Sequence, residues 1–142
     1  MQPHADVEAS VWMRQIVADD TITRTVSLRY SAADPYAVRA VFREDDVEIE
    51  WVFARDLLRI GLSADISGAE VAVWPIWPIW RNGDGVAILL ISPEGEAMLE
   101  ASGDDVRDFL DRTTAVVPYG EEGRFIDLDA LVARLLSTPP AS

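Results

Sequence analysis

Val7-Glu8-Ala9-Ser10-Val11-Trp12-Met13-Arg14-Gln15-Ile16-Val17 is the stretch on which the reading of the fold turns. Val7, Ala9, Val11 and Met13 alternate with Glu8, Ser10, Trp12 and Arg14, the period of two that belongs to a strand with one face on a core. Asp19-Asp20 supplies a turn. From Ile22 to Tyr30 the alternation resumes, Thr25, Ser27 and Arg29 against Val26, Leu28 and Tyr30, so the two runs are expected to pair as a hairpin.

Working outward, Asp34-Pro35 resists helix continuation and precedes a third strand, Val38 to Arg43. Asp45-Asp46 turns the chain into Val47 to Phe53, with Val47, Ile49, Trp51 and Phe53 on one face and Glu48 and Glu50 on a wet one. At Ala54 the period changes, and Ala54 to Ile60 reads as a short helix stopped by Gly61. Further strands are expected at Glu70 to Trp74, at Val86 to Ser92, apolar on both faces and therefore central, and at Ala97 to Ala101. Asn82-Gly83 and Pro93-Glu94-Gly95-Glu96 mark the turns before and after the second of these. Ser102 caps a helix through Asp105, with Val106, Phe109 and Leu110 on one face, an Asp108/Arg112 pair and an end near Pro118. Asp127 caps a last helix with the stripe Leu128, Leu131, Val132, Leu135, Leu136. About seven antiparallel strands and two or three helices make an α+β fold.

The chain of 142 residues fits one domain, residues 1–142, with a core from about 7 to 136. It has no cysteine, which removes disulfides, thiolate metal sites and cysteine nucleophiles together and fits a reducing compartment. A net charge of −13 with pI ≈ 4.3 sets long-range repulsion against nucleic acids and anionic membranes, so neither is an expected partner. Every basic residue is arginine. No run approaches the ~20 apolar residues of a membrane span, and Met1 to Asp6 lacks the basic start and apolar centre of an export signal, so a cytoplasmic location is expected.

Catalytic equipment is sparse. The single histidine, His4, stands near the N-terminus, so neither a Ser–His nucleophile pair nor a multi-histidine metal site is expected within one chain, and the aspartate pairs at 19–20, 45–46 and 104–105 fall where turns and helix starts favour aspartate. Gly83-Asp84-Gly85 lacks the spacing and the Lys-Ser/Thr of a phosphate loop. No catalytic residue, metal or other cofactor is expected. Arg14, Arg24, Arg29, Arg39 and Arg43 fall on strands, where they either form a basic stripe for a phosphate backbone or pair across strands with the many acids.

Trp74-Pro75-Ile76-Trp77-Pro78-Ile79-Trp80 carries three of the five tryptophans in a triplet repeat. A polyproline II conformation, with three residues per turn, would put Trp74, Trp77 and Trp80 on one ridge, and the prolines confine the run to a sheet edge or a loop. The rings either cover the protomer's own core or meet a subunit or partner. Val117-Pro118-Tyr119-Gly120-Glu121-Glu122-Gly123 is either a plain helix–helix connector or a loop offering an aromatic ring to another protein.

Leu28-Arg29-Tyr30, Asp34-Pro35-Tyr36-Ala37-Val38, Glu50-Trp51-Val52-Phe53-Ala54-Arg55-Asp56-Leu57-Leu58, Val73-Trp74-Pro75, Ser92-Pro93-Glu94-Gly95-Glu96-Ala97 and Phe125-Ile126-Asp127-Leu128-Asp129 occur in that order. Together they resemble the SsgA-like sporulation and cell-division proteins of actinomycetes, most closely the SsgB type, over roughly Val7 to Leu136. The resemblance lapses at Ile76-Trp77-Pro78-Ile79-Trp80, where relatives carry small or polar residues. It implies a bent antiparallel sheet with helices, assembled as a bell-shaped homotrimer similar to the Whirly nucleic-acid-binding proteins. It further implies a non-enzymatic cytoplasmic adaptor, recruited to the division septum, that brings FtsZ there and promotes its assembly beside an SsgA-type relative. Its partner surface is expected among Trp74, Trp77, Trp80, Arg55, Asp56, Tyr119 and Gly120. The competing readings are a Whirly-like binder of single-stranded nucleic acid and a protein whose acids converge on a metal or substrate.

Overall fold

The structure, a computed structural model, describes residues 5–80 and 83–126, with the backbone alone at 77–80 and 83. The expected last helix from Asp127, its stripe, Arg81-Asn82 of the expected hairpin turn and His4 lie outside the described residues.

The first two strands, β1 (Val7–Val17) and β2 (Asp20–Tyr30), pair along their whole length from Val7 opposite Tyr30 to Val17 opposite Asp20. Ala18 turns the chain between them at φ 53°. Then follow β3 (Ala37–Glu44), β4 (Val47–Ala54), helix α1 (Arg55–Gly61), β5 (Ile66–Ser67), β6 (Val71–Trp80), β7 (Gly83–Ser92), β8 (Gly95–Ser102), helix α2 (Gly103–Val116) and a 3-10 turn at Glu122–Phe125. The eight strands form one antiparallel sheet in the order β4-β3-β2-β1-β8-β7-β6-β5, so β1 and β8 join two meanders in its middle. The strand not foreseen is β5, which at two residues is too short to show a period.

The registers place every second residue of each strand on one common face, and both helices lie on that face. Val7, Val11 and Met13, then Val26, Leu28 and Tyr30, meet Val86, Ile88, Leu99 and Ala101 from the other meander, and Val106, Phe109 and Leu110 of α2 close over them. Ser102 caps α2 by accepting from the Asp105 N–H, as its spacing predicts. Arg112 donates to the Glu8 carbonyl at 3.0 Å in place of the expected pair with Asp108, which ties α2 to β1. Strand β7 is an inner strand, buried at Val86, Ala87, Ile88 and Leu90.

Cover on this face is uneven. Along β4 the apolar side passes from Phe53, buried, through half-buried Trp51 to Ile49 and Val47, 44% and 60% exposed. The expected apolar face of β4 exists, but only its helix-proximal end is covered. On β3, Val38 and Ala40 give way to half-buried Phe42 in the same sense.

Two expectations are corrected. Gly61 does not stop α1 through a left-handed turn, since Leu62 follows it in right-handed geometry at φ −66°. It is needed for contact: a Cβ there would stand 2.1 Å from Val73 Cγ1, so the glycine lets α1 settle onto β6. The tryptophan run forms no polyproline II ridge. It continues β6 as strand, Trp74 opposite Ala87, Pro75 opposite Val86 and Ile76 opposite Gly85, with a bulge before Trp80 opposite Gly83. The edge placement holds, because β5 reaches β6 only at Ala72 and Val73 and prolines are tolerated where no outer neighbour needs an N–H.

Candidate functional site

The chain passes from β4 into α1 without a loop: Ala54 is still extended (φ −67°, ψ 137°) and Arg55 begins the helix. That abrupt change aims the Arg55 side chain into the interior, where it is 1% exposed. Its Nη1 donates to the Val117 carbonyl at 2.7 Å and to Thr113 Oγ1 at 3.3 Å, and its Nη2 donates to Glu122 Oε2 at 3.0 Å. The guanidinium is stacked between two rings, 4.8 Å from the centroid of Tyr30 and 4.6 Å from that of Tyr119. One cation thus fixes the end of α2, the loop after it and the 3-10 turn against β2 and α1. Arginine suits this place because its planar, weakly hydrated head stacks and donates at once.

The surroundings respond to that charge. Burial pushes the Tyr30 hydroxyl up to about 12, opposed by Arg55, and the hydroxyl donates to the Pro35 carbonyl at 2.8 Å. The Glu122 carboxyl is held below its usual range, first by its own backbone N–H and then by Arg55. Burial also raises the Tyr119 hydroxyl, with Arg55 and Arg59 pulling the other way.

Above this buried knot lies a surface. Tyr119 remains 38% exposed, Arg59 sits over its ring at 5.2 Å from the centroid, and Arg59 Nε donates to Asp56 Oδ1 at 3.0 Å. Gly120 turns the loop at φ +86°, a left-handed conformation that favours glycine. Tyr36 and Phe125 are also exposed, and Gly123 packs near the Tyr36 hydroxyl. The structure therefore gathers Arg55, Asp56, Tyr119 and Gly120 at one place but assigns Arg55 a different part: it is buried and holds the loop, and the outward cation is Arg59. Sequence reasoning missed Arg59, Tyr30, Thr113 and Glu122. Glu122 carried no signal, because Glu121-Glu122 reads as a solvated acidic pair until a buried cation is known to face it.

The tryptophan run is not part of this site. Trp74 is half-buried on the face of β6 opposite to Val73, which α1 covers, and the side chains of Trp77 and Trp80 lie outside the described residues. The strand arginines pair with acids: Arg14 with Glu100 at 2.8 Å, Arg24 with Glu44 at 2.7 Å, Arg29 with Glu8 at 3.7 Å, Arg39 with Glu50 at 2.6 Å and Arg43 with Glu48 at 3.4 Å. Cross-strand neutralisation, not a basic stripe, is what they build.

A curled antiparallel sheet with two helices on one face, and a loop clamped to it by a buried arginine, defines an α+β class that the comparisons make specific. The sequence profile described as "Streptomyces sporulation and cell division protein, SsgA" matches residues 25–122, and the chain belongs to this SsgA-like family. It is 48% identical over 132 residues to the sporulation-specific cell division protein SsgB of Kineococcus radiotolerans, covering 93% of this chain and 79% of that protein. To SsgB of Streptomyces coelicolor it is 43% identical over 134 residues, covering 92% and 96%. Among solved structures, the SsgA-like sporulation-specific cell division protein of Thermobifida fusca superposes with a TM-score of 0.80 at 36% identity, over 95% of this chain and 99% of the other. The structure of SsgB of Streptomyces coelicolor, whose mutations correlate to longitudinal cell division during sporulation, gives 0.77 at 41% identity over 84% and 94%. No helix among the described residues is long and apolar enough to cross a membrane.

Proposed function

We propose that this chain is a non-enzymatic adaptor of sporulation-specific cell division, one that recruits FtsZ to the future septum and promotes its assembly, acting in the cytoplasm beside an SsgA-type relative. The observation that carries the reading is the Tyr119–Arg59–Asp56 surface. It is exposed, it joins an aromatic ring to paired charges, and its backbone is fixed from beneath by Arg55, so docking on it costs little ordering entropy. A homotrimer would present three such surfaces, and linked weak contacts hold a filament more tightly than single ones.

Sedimentation with polymerising FtsZ tests this. The chain is expected in the pellet with longer polymers, and Arg59→Ala is expected to lower the amount that pellets. Absence from the pellet together with unchanged polymers overturns the proposal. Binding of single-stranded nucleic acid is the reading that the strand arginines disfavour, since each already has a carboxylate partner. Tight, steeply salt-dependent anisotropy changes with an oligonucleotide would restore it.

A further inference from the structure

The two outermost strands of the sheet end it differently. Strand β6 is covered by β5 at Ala72 and Val73 and carries Pro75 and Pro78 beyond, residues that deny an added strand its N–H donors. Strand β4, at the other end, runs eight residues without proline or bulge, and among the described residues it pairs with β3 alone. The Arg55 N–H donates to the Tyr36 carbonyl at 2.7 Å, which sets the phase of the β3–β4 ladder. Odd-numbered residues of β4 therefore bond to β3, and the N–H and C=O groups of Glu48, Glu50 and Val52 point out along the free edge. Across from Val52 and Phe53, and beside Leu57 of α1, stands the β5–β6 turn, closed by the Gly68 N–H on the Val71 carbonyl at 2.7 Å. Between the strand and the turn lies an open cleft of about 290 Å³.

We infer that this edge and its cleft receive, by strand addition, an extended segment of a partner protein in which basic and apolar residues alternate. The side chains along β4 specify the alternation. Ile49, Trp51 and Phe53 lie on the helix-covered face, so residues of the added strand on that side meet apolar neighbours. Glu48 and Glu50 lie on the other face, where they hold Arg43 at 3.4 Å and Arg39 at 2.6 Å through Oε1. Among the described residues the Oε2 of each has no cation, which leaves it for one arriving on the free side. Glu70, in the turn across the cleft, adds an exposed carboxylate with no ion pair among the described residues. The same acids select against a second copy: each chain carries −13, so two such edges bring carboxylates together, whereas a basic strand is drawn in. From Glu48 to Val52 the edge is about 13 Å long, the span of a five-residue extended segment. The inference goes beyond the Tyr119–Arg59–Asp56 surface and shares no residue with it.

Fluorescence anisotropy with the full chain, at about 0.15 M salt to screen unspecific attraction, tests it. The probe is a fluorescein-labelled heptapeptide of alternating arginine and valine, and the control has the same composition with its arginines in one block. The alternating peptide is expected to bind several-fold more tightly. Equal affinities would show an acidic chain attracting cations in any order, and overturn the inference. Val52→Pro removes an N–H that faces the free edge and not β3, a place where a strand accepts proline. It is expected to weaken the alternating peptide several-fold with the circular dichroism of the parent, and undiminished binding overturns the inference. If Val52→Pro disturbs folding, Glu70→Arg takes its place, with the same loss expected and unchanged affinity again overturning the inference. Sedimentation equilibrium without peptide covers the other occupant: a lower mass for Val52→Pro than for the parent would give the edge to a second copy and overturn the inference.

Discussion

Arg55 Nη2 and Glu122 Oε2 meet at 3.0 Å across 67 positions of sequence, both side chains withdrawn from solvent. A buried pair of this kind resists the loss of either member more than it rewards its presence, because the survivor is left charged and without solvent. Glu122→Leu, which strands the Arg55 cation, is expected to cost about 3 kcal/mol, read from the urea midpoint at neutral pH. A loss under about 0.5 kcal/mol, the size of an exposed pair, would mean that the guanidinium finds solvent.

The same carboxyl ties stability to acidity. Its pKa in the folded chain lies below the ordinary 4.5, so its contribution is complete above that value and is lost as pH falls from about 4.5 through the depressed folded pKa. Acid unfolding of the parent is therefore expected to include a component in that window that Glu122→Gln lacks. Parallel acid-unfolding curves for the two would assign the loss to other carboxylates.

Gly61 and Val73 touch so closely that a methyl on the first would overlap the second, 2.1 Å from Cγ1 and 2.6 Å from Cβ. Gly61→Ala is expected to lower stability by about 1–3 kcal/mol, the usual cost of overpacking, even though alanine is the better helix former. Adding Val73→Ala should return part of that loss, so thermal unfolding of the two single variants and the double one should show a favourable coupling. Additive losses would place the strain elsewhere.

How much of this was legible in the sequence follows from the range of each determinant. The β1–β2 hairpin is local: its period and its turn lie within one stretch of chain, and the structure returns Val7–Val17 unchanged. The Ser102 cap is local too. Gly61 is local in appearance only, because the reason for it is Val73, on a strand whose approach no pattern announces. Arg55 misleads in the opposite sense. An arginine next to an aspartate at a helix start reads as surface, and only the fold brings Thr113, Val117 and Glu122 around it. The tryptophan triplet pointed to a period of three, but hydrogen bonding to β7 imposed a period of two as far as Ile76.

Tyr30 reports on the interior at the other end of the pH scale. Burial raises its hydroxyl to about 12, so the folded chain keeps it protonated where the unfolded chain has begun to lose the proton, and stability is expected to fall as pH rises from about 10 to about 12. Tyrosinate absorbance of the parent minus that of Tyr30→Phe should show a step near pH 12. A step near 10 would show the ring to be hydrated.

Tyr119 separates the two duties of its loop. Its ring lies against both Arg55 and Arg59, so removing the ring removes both contacts. Cation–π stacking contributes about 0.5–1 kcal/mol where exposed and about 2 where desolvated, and Tyr119→Ala is accordingly expected to lower the urea stability by about 2 kcal/mol. Tyr119→Phe keeps the quadrupole and should stay within about 0.5 kcal/mol of the parent. The co-sedimentation assay then distinguishes ring from hydroxyl: if Tyr119→Phe pellets with FtsZ as the parent does while Tyr119→Ala does not, the partner reads the aromatic face. Should Arg59→Ala, which leaves the Arg55 stack in place, pellet like the parent while Tyr119→Ala fails, the Arg59–Asp56 charges would be excluded from the recognised surface and the Tyr119 loop alone would be the element recognised.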